Sequence, residues 1–392
     1  MSLKRFTVLN RLLRLFSDNG QSTIAELSSQ VNLSIPKVTA MVNELIDMNL
    51  AADFGKESSS GGRPPNVYGL NASAVHFVGV DVRAHDINIG IANFNQDIVE
   101  FKDRIPFRLK NQADSLEELC NLISGFIESS SIDCATIEGI GINLSGRINQ
   151  RTGYSYSFFN FQERPLSEVL SEKLGYDVYL ENDSRAMAYA EYKNLDNPAI
   201  KNVLFLNLDY GIGMGVVING ELYYGKSGYS GEVGHIPIFE NNVICQCGKQ
   251  GCLETEASGW ALVNEFKKSI ESGANSVIVK DPSNIDCVNM NDIIKAAMDD
   301  DVLAIELISR IGEKIGRGLA VVINIFNPEL VILGGSLSKT GDYIRLPIKS
   351  AVNKLSLSLM NNDTQIEMAS LGSLSGVKGA SLLVRKKMLR MV

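Results

Sequence analysis

Apolar residues recur over the first fifty positions with the period of a helix and then shift to the alternation of strands. Leu9, Leu12, Leu13 and Phe16 fall on one helical face, so residues 4–17 read as an amphipathic helix stopped by Asn19-Gly20. Ser22 reads as the N-cap of a short second helix over residues 24–31, with Ile24, Leu27 and Val31 inward. After a turn at Asn32-Leu33, Ser34 caps a third helix that turns Val38, Met41, Val42, Leu45 and Ile46 inward. Pro36 is tolerated in its first turn, where the missing N–H would have had no helical partner. Helix, tight turn and helix is the arrangement that lets the later helix enter a major groove. Residues 50–54 and 66–70 then pair as a two-stranded wing, with residues 58–62, Ser-Ser-Ser-Gly-Gly, as its tip.

From Val75 onward the pattern is that of an α/β body. Residues 76–82 form a buried strand, Ile87, Ile89 and Ile91 alternate in the next, and residues 98–105 make a third. Residues 116–127 are helical, with Leu116, Leu119, Leu122, Ile123 and Phe126 inward, and residues 137–143 are again a strand. Residues 203–208 and 214–219 begin a second copy of the same order, with Gly220-Glu221 as a hairpin signal. A helix over residues 311–325 and a buried strand over 330–333, ending at Gly334-Gly335, follow. The expected architecture is two α/β lobes with a ligand-binding cleft.

Charge divides the chain the same way. The whole carries −8, yet residues 1–70 balance at +1, leaving −9 on the remaining 322. An acidic body is repelled by phosphate, whereas the head is free to approach it. On the third helix the outward positions Ser34, Lys37, Thr39 and Asn43 suit phosphates and base edges. Arg63, stiffened by Pro64-Pro65, suits a narrow minor groove. A three-helix packing domain with a polar surface is the competing description of the head. Composition is that of a globular protein, 45% hydrophobic and 21% charged, and no apolar run reaches the ~18 residues a membrane span needs. Arg11 and Arg14 interrupt the first apolar stretch, so no signal peptide is expected and the expected compartment is the cytoplasm, beside the nucleoid.

Cys120, Cys134 and Cys287 are scattered and read as reduced, partly buried thiols. His235, Cys245, Cys247 and Cys252 instead place one imidazole and three thiols within 18 residues, with Gly248 and Gly251 allowing the sharp turns of a metal knuckle. Soft sulfur donors with one histidine suit a closed, structural Zn²⁺ site.

The segment Gly231-Glu232-Val233-Gly234-His235, the knuckle from Cys245 to Cys252 with Leu253-Glu254 behind it, and Leu180-Glu181-Asn182-Asp183 together resemble the ROK family (repressors, open reading frames, kinases). The resemblance covers residues 75–390, and the added head with Gly62-Arg63-Pro64-Pro65 is similar to the repressor branch. It implies a winged helix-turn-helix (residues 1–70, with linker) followed by a two-lobed actin-like, RNase H-like sugar-kinase fold. The first lobe is expected over 71–195, joined by a C-terminal helix at 376–392, and the second, with the zinc knuckle, over 196–375. It also implies that Asn182, Asp183, Glu232, His235 and Glu254 hold a sugar through its hydroxyls, with Ser145, where the family has proline, lining the same pocket. Asn160 is a weaker addition to that set.

The departures set the functional expectation. Where ROK kinases have Asp-x-Gly-Gly-Thr-Lys this chain has Asp81-Val82-Arg83-Ala84-His85-Asp86, and Gly-Thr-Gly becomes Asp209-Tyr210-Gly211. Lost glycines and added carboxylates both oppose a triphosphate. Asp183 matches the kinase base, yet without a phosphoryl donor no catalytic residue is expected. The expectation is a sugar-responsive transcriptional regulator, a homodimer or homotetramer that binds double-stranded operator DNA and a sugar or sugar phosphate. An active ATP-dependent sugar kinase with an accessory head is the alternative, and a regulator answering a protein partner is a third.

Overall fold

A computed structural model describes residues 3–56, 64–161, 163–279 and 282–389. Arg63 and the wing tip at residues 58–62 lie outside the described residues. The chain divides into two compact units, Met1–Asp183 with Gly376–Val392, and Ser184–Ser375.

The first unit opens with α1 (Leu3–Asn19), β1 (Ser22–Thr23), α2 (Ile24–Val31), α3 (Ile35–Asp47), β2 (Ala51–Lys56) and β3 (Asn66–Leu70). Ser22 is not the cap expected from the sequence: it pairs with Tyr68 across β1 and β3, and Thr23 caps α2 in a reciprocal capping box with Glu26. Two adjacent hydroxyl residues made the position ambiguous, and Glu26 three residues beyond Thr23 decides it. β2 and β3 form the antiparallel wing. Leu12, Leu27, Val38, Val42 and Leu45 are almost wholly buried between the three helices.

The body of this unit follows with β4 (His76–Val82), β5 (Asp86–Asn93), β6 (Ile98–Pro106), α4 (Ala113–Ser129), β7 (Ile137–Leu144), the small hairpin β8 (Ile148–Asn149) and β9 (Tyr154–Ser155), α5 (Leu166–Leu174) and β10 (Val178–Asn182). The five long strands lie in the order β10-β7-β4-β5-β6, the first three parallel and the last two pairings antiparallel. Strand alternation sorts side chains between two faces. Val78, Val80, Ile87, Ile89, Ile140 and Ile142 turn to one face and form a core with Leu119 and Ile123 of α4 and Leu170 of α5. Glycines face the other way, and the C-terminal helix (Leu374–Met388) presses on them. A Cβ on Gly79 would lie 2.1 Å from the Val377 carbonyl oxygen, and one on Gly141 would lie 2.4 Å from that of Ala380. Only a residue without a side chain allows that approach.

The second unit begins at Ser184, inside α6 (Asp183–Lys193), and runs through β11 (Val203–Leu208), β12 (Ile212–Ile218) and β13 (Glu221–Leu222). It continues with α7 (Glu254–Ala257), α8 (Gly259–Glu271), α9 (Met290–Met298), α10 (Val302–Phe326), β14 (Leu330–Gly334), α11 (Asp342–Leu355), α12 (Ser358–Asp363) and β15 (Gln365–Met368). Its sheet, β13-β12-β11-β14-β15, repeats the strand order of the first unit. This is the expected duplication. The hairpin turn is Asn219-Gly220, both at positive φ, as a tight two-residue turn requires. α10 starts nine residues before the expected helix, capped by Asp301, whose side chain accepts from Ala304 N–H. Of the scattered cysteines Cys120 is buried, but Cys134 and Cys287 are exposed rather than partly buried.

Candidate functional site

The recognition-helix candidate α3 is fixed by its inner face, and its outer face carries the sequence-selected residues. Ser34, Lys37 and Asn43 are exposed. Thr39 is half-buried, and its hydroxyl donates to the Ile35 carbonyl at 2.9 Å, so it serves the helix backbone. Ile35, 56% exposed, and the exposed Ala40 share this outer face, and being apolar they carry no polar signal in the sequence. Apolar side chains on such a helix meet thymine methyl groups. Arg63 lies outside the described residues.

Within the first unit, β7 and β10 are parallel neighbours and bring two site residues together at their ends. The Ser145 hydroxyl donates to Asp183 Oδ2 at 2.7 Å, and the Asn182 amide donates to Asp183 Oδ1 at 2.9 Å and to the Gly146 carbonyl at 3.1 Å. Both carboxylate oxygens therefore already carry a donor from the chain. Asn160 exchanges hydrogen bonds with Asn111 and donates to the Tyr156 carbonyl. At the β4–β5 turn, Arg83 Nε lies 3.1 Å from the fully buried Asp81 carboxylate, and Nη1 lies 3.9 Å from Asp86.

Within the second unit, the turn at Val233–His235 and the loop behind it bring together one histidine and three cysteines that could hold a metal ion. The donor atoms of His235, Cys245, Cys247 and Cys252 all lie within 4.8 Å of one another. His235 Nδ1 is 3.4 Å from Cys245 Sγ, and the Cys247 and Cys252 sulfurs are 3.6 Å apart. The other ring nitrogen, Nε2, faces Glu232 at 3.7 Å. Burial, with the neighbouring thiols, pushes the Cys252 thiol up to about 12, and burial raises Cys245 as well. For Cys247 burial is outweighed by the Lys249 backbone N–H and the adjacent thiols, and its thiol is lowered. Glu254, at the start of α7, accepts from Ile212 N–H at 3.0 Å, and its carboxylate would lie 3.5 Å from a Cβ on Gly234. The knuckle is clasped to α10 by Lys314, which reaches Glu256 and Glu265 at 2.7 Å each, while Asn241 of the loop donates to Glu256. Burial opposes these charges, yet the pairing outweighs it, holding Glu256 below and Lys314 above the usual ranges. Between β11 and β12, Asp209 accepts from both the N–H and the hydroxyl of Ser336, beside Gly334-Gly335.

A winged helix-turn-helix on a duplicated α/β body with sugar-kinase-like acids defines a class: DNA-binding proteins built on a sugar-kinase fold. Comparison with known proteins agrees. Residues 77–387 match the ROK family, and residues 8–50 match a winged helix-turn-helix DNA-binding family. The chain belongs to the ROK family, in its transcriptional-regulator branch. It is 30% identical over 388 residues to the xylose repressor of Bacillus subtilis (strain 168), covering 97% of this chain and 95% of that protein. It is 26% identical over 378 residues to the DNA-binding transcriptional dual regulator NagC of Escherichia coli (strain K12), covering 96% and 91%. Its fold matches the crystal structure of a ROK family transcriptional regulator, a homologue of the Escherichia coli MLC protein, with a TM-score of 0.82 at 25% identity, covering 99% of this chain and 98% of that one.

Proposed function

We propose that this chain is a sugar-responsive repressor of carbohydrate-utilisation genes whose kinase-like body binds a sugar but not ATP. The observation that carries this is the union of a DNA-reading head with paired side chains, Arg83 with Asp81 and Asp209 with Ser336, at the positions where the family resemblance implies phosphate loops. Arg83 stands where a kinase has its first loop glycine and is neutralised by Asp81 and Asp86. Asp209 takes the Ser336 N–H, a donor of the kind that would otherwise meet a phosphate. Asp183, hydrogen-bonded on both oxygens, is suited to holding a sugar hydroxyl rather than removing its proton.

The sugar-holding candidates are Ser145, Asn182, Asp183, Glu232, His235 and Glu254, the residues that the family resemblance assigns to the sugar hydroxyls. Carboxylates accept charge-assisted hydrogen bonds from vicinal hydroxyls. The donor set fits Zn²⁺: tetrahedral ligands at about 2.3 Å are separated by about 3.8 Å, close to the 3.6 Å between the Cys247 and Cys252 sulfurs. Zinc would fix the loop and the tautomer of His235, leaving Nε2 for Glu232 or the sugar. Ser34, Lys37, Thr39, Asn43 and Arg63 would meet DNA. A homodimer supplies two heads for two half-sites. Its contact is supported by the exposed Ile325, Leu355, Leu357 and Leu359 on the second unit. The site of action would be the cytoplasm, on chromosomal DNA.

The test is fluorescence anisotropy on DNA from upstream of the protein's own gene, with D-xylose tried first, then glucose, N-acetylglucosamine and their phosphates. Salt-sensitive binding that one sugar weakens is expected. Sugar-dependent ATP turnover that Asp183→Asn abolishes, with no DNA binding, would replace the repressor by a kinase.

A further inference from the structure

If the chain is a sugar-gated regulator, as proposed above, the sugar's effect must reach α3, and one physical route is visible inside the first unit. α1 buries Leu9, Leu12, Leu13 and Phe16 in a cluster shared with α2 and α3. The same cluster contains Val75, Phe77 and Phe94 of the body and Val384 and Leu389 at the end of the C-terminal helix. The head is therefore not tethered by a linker alone; its core is completed by the body. One hydrogen bond fixes the joint. Arg14, on α1, donates from Nε to the Leu389 carbonyl at 2.9 Å. Carbonyls at a helix C-terminus have no partner within the helix, so this is where an outside donor is accepted.

The other end of that helix reaches the sugar-anchoring strand. Asn143 of β7, fully buried, donates from its amide to the Gly376 carbonyl at 2.7 Å. Two residues further along the chain, Ser145 holds Asp183. Between these ends the helix rises by about 20 Å, is seated on the Gly79 and Gly141 backbone, and is pinned by Arg385, which donates to the Phe94 carbonyl. A displacement of β7 at Ser145 cannot be absorbed locally, because close-packed elements shift as bodies.

We infer that Arg14 is a positioning residue. It couples the head to the C-terminal helix, and through that helix to the strand that holds Asp183, so that sugar binding changes the setting of α3. The chemistry separates this role from charge. The amide nitrogen of glutamine has the same number of bonds from the backbone as Arg14 Nε, so Arg14→Gln keeps a donor to Leu389 and loses the positive charge. Arg14→Met keeps the stem and loses both.

The experiment measures the ratio of DNA dissociation constants with and without sugar, on the full chain and its own upstream DNA. D-xylose, D-glucose, N-acetylglucosamine and N-acetylglucosamine 6-phosphate are the probes, and a melting-temperature shift reports sugar binding separately. Wild type is expected to show a ratio of about ten or more, within the usual range of coupling. Arg14→Gln should stay within about threefold of that ratio. Arg14→Met should fall below about twofold while binding sugar, and DNA without sugar, nearly as wild type does. Leu389→Ala, which leaves Arg14 intact and loosens its acceptor, should lose the ratio too, and it serves if Arg14→Met does not fold. Retention of the full ratio in Arg14→Met overturns the inference alone. So does equal loss in Arg14→Gln and Arg14→Met, which would assign the residue to charge. A tenfold loss of sugar-free DNA affinity in Arg14→Met would also overturn it, making the residue a DNA contact. A wild type that binds DNA but answers no sugar overturns both this inference and sugar gating.

Discussion

At the scale of single residues, the metal cluster shows how spacing becomes chemistry. Two buried thiols are held in the protonated form while Cys247 is lowered, so a metal arrives against protons. Ligation requires thiolates and a neutral imidazole, and the displaced protons make affinity depend on pH. The sign follows: with thiols raised above neutrality, fewer protons must be expelled as pH rises. Zinc affinity, measured by competition with a chelator, is expected to rise from pH 6 to pH 8, with one ion per chain. Cys252→Ser should lose the ion, and an unchanged metal content in that variant would refute the four-ligand site. The cluster was legible in the sequence because its four residues fall within 18 positions. The second role of Thr39 was not, since a hydroxyl bonding to its own helix leaves no trace in composition.

At the scale of elements, periodicity located the helices and strands, and the structure adds what each one leans on. The apolar positions of α1 are evident from their spacing. That the same face also meets Val384 and Leu389 is a contact across most of the chain, which no local pattern encodes. The glycines of β4 and β7 carry a quieter signal, a strand face without side chains. Gly141→Ala places a methyl 2.4 Å from the Ala380 carbonyl oxygen, which the helix must move to accommodate. A loss of about 1–3 kcal/mol is expected, the usual cost of overpacking. It would be read as a lower urea midpoint with an unchanged slope. Wild-type stability in Gly141→Ala would mean the helix does not sit as tightly as described.

At the scale of the whole molecule, the kinase-like body and the DNA-reading head divide the charge as well as the work. Arg83 pairs with Asp81 and Asp209 accepts from Ser336, the contacts on which the proposed loss of ATP binding rests. Saturating sugar is expected to raise the melting temperature, since a ligand at one hundred times its Kd stabilises by about 2.7 kcal/mol. Magnesium-ATP should leave the melting temperature where it was. A shift with ATP of the same size as that with sugar would show a working nucleotide site.

The shared core of α1 and the C-terminal helix also bears on how the protein is made. Arg14 and its acceptor are separated by 375 positions, so a head emerging from the ribosome gains Val75, Phe77 and Phe94 early but lacks the last part of its wall until the C-terminal helix has been translated. Val384 and Leu389 then close the cluster. Chains cut short by premature termination would carry an unfinished head, and operator occupancy would be reserved for molecules that already possess the means to sense sugar.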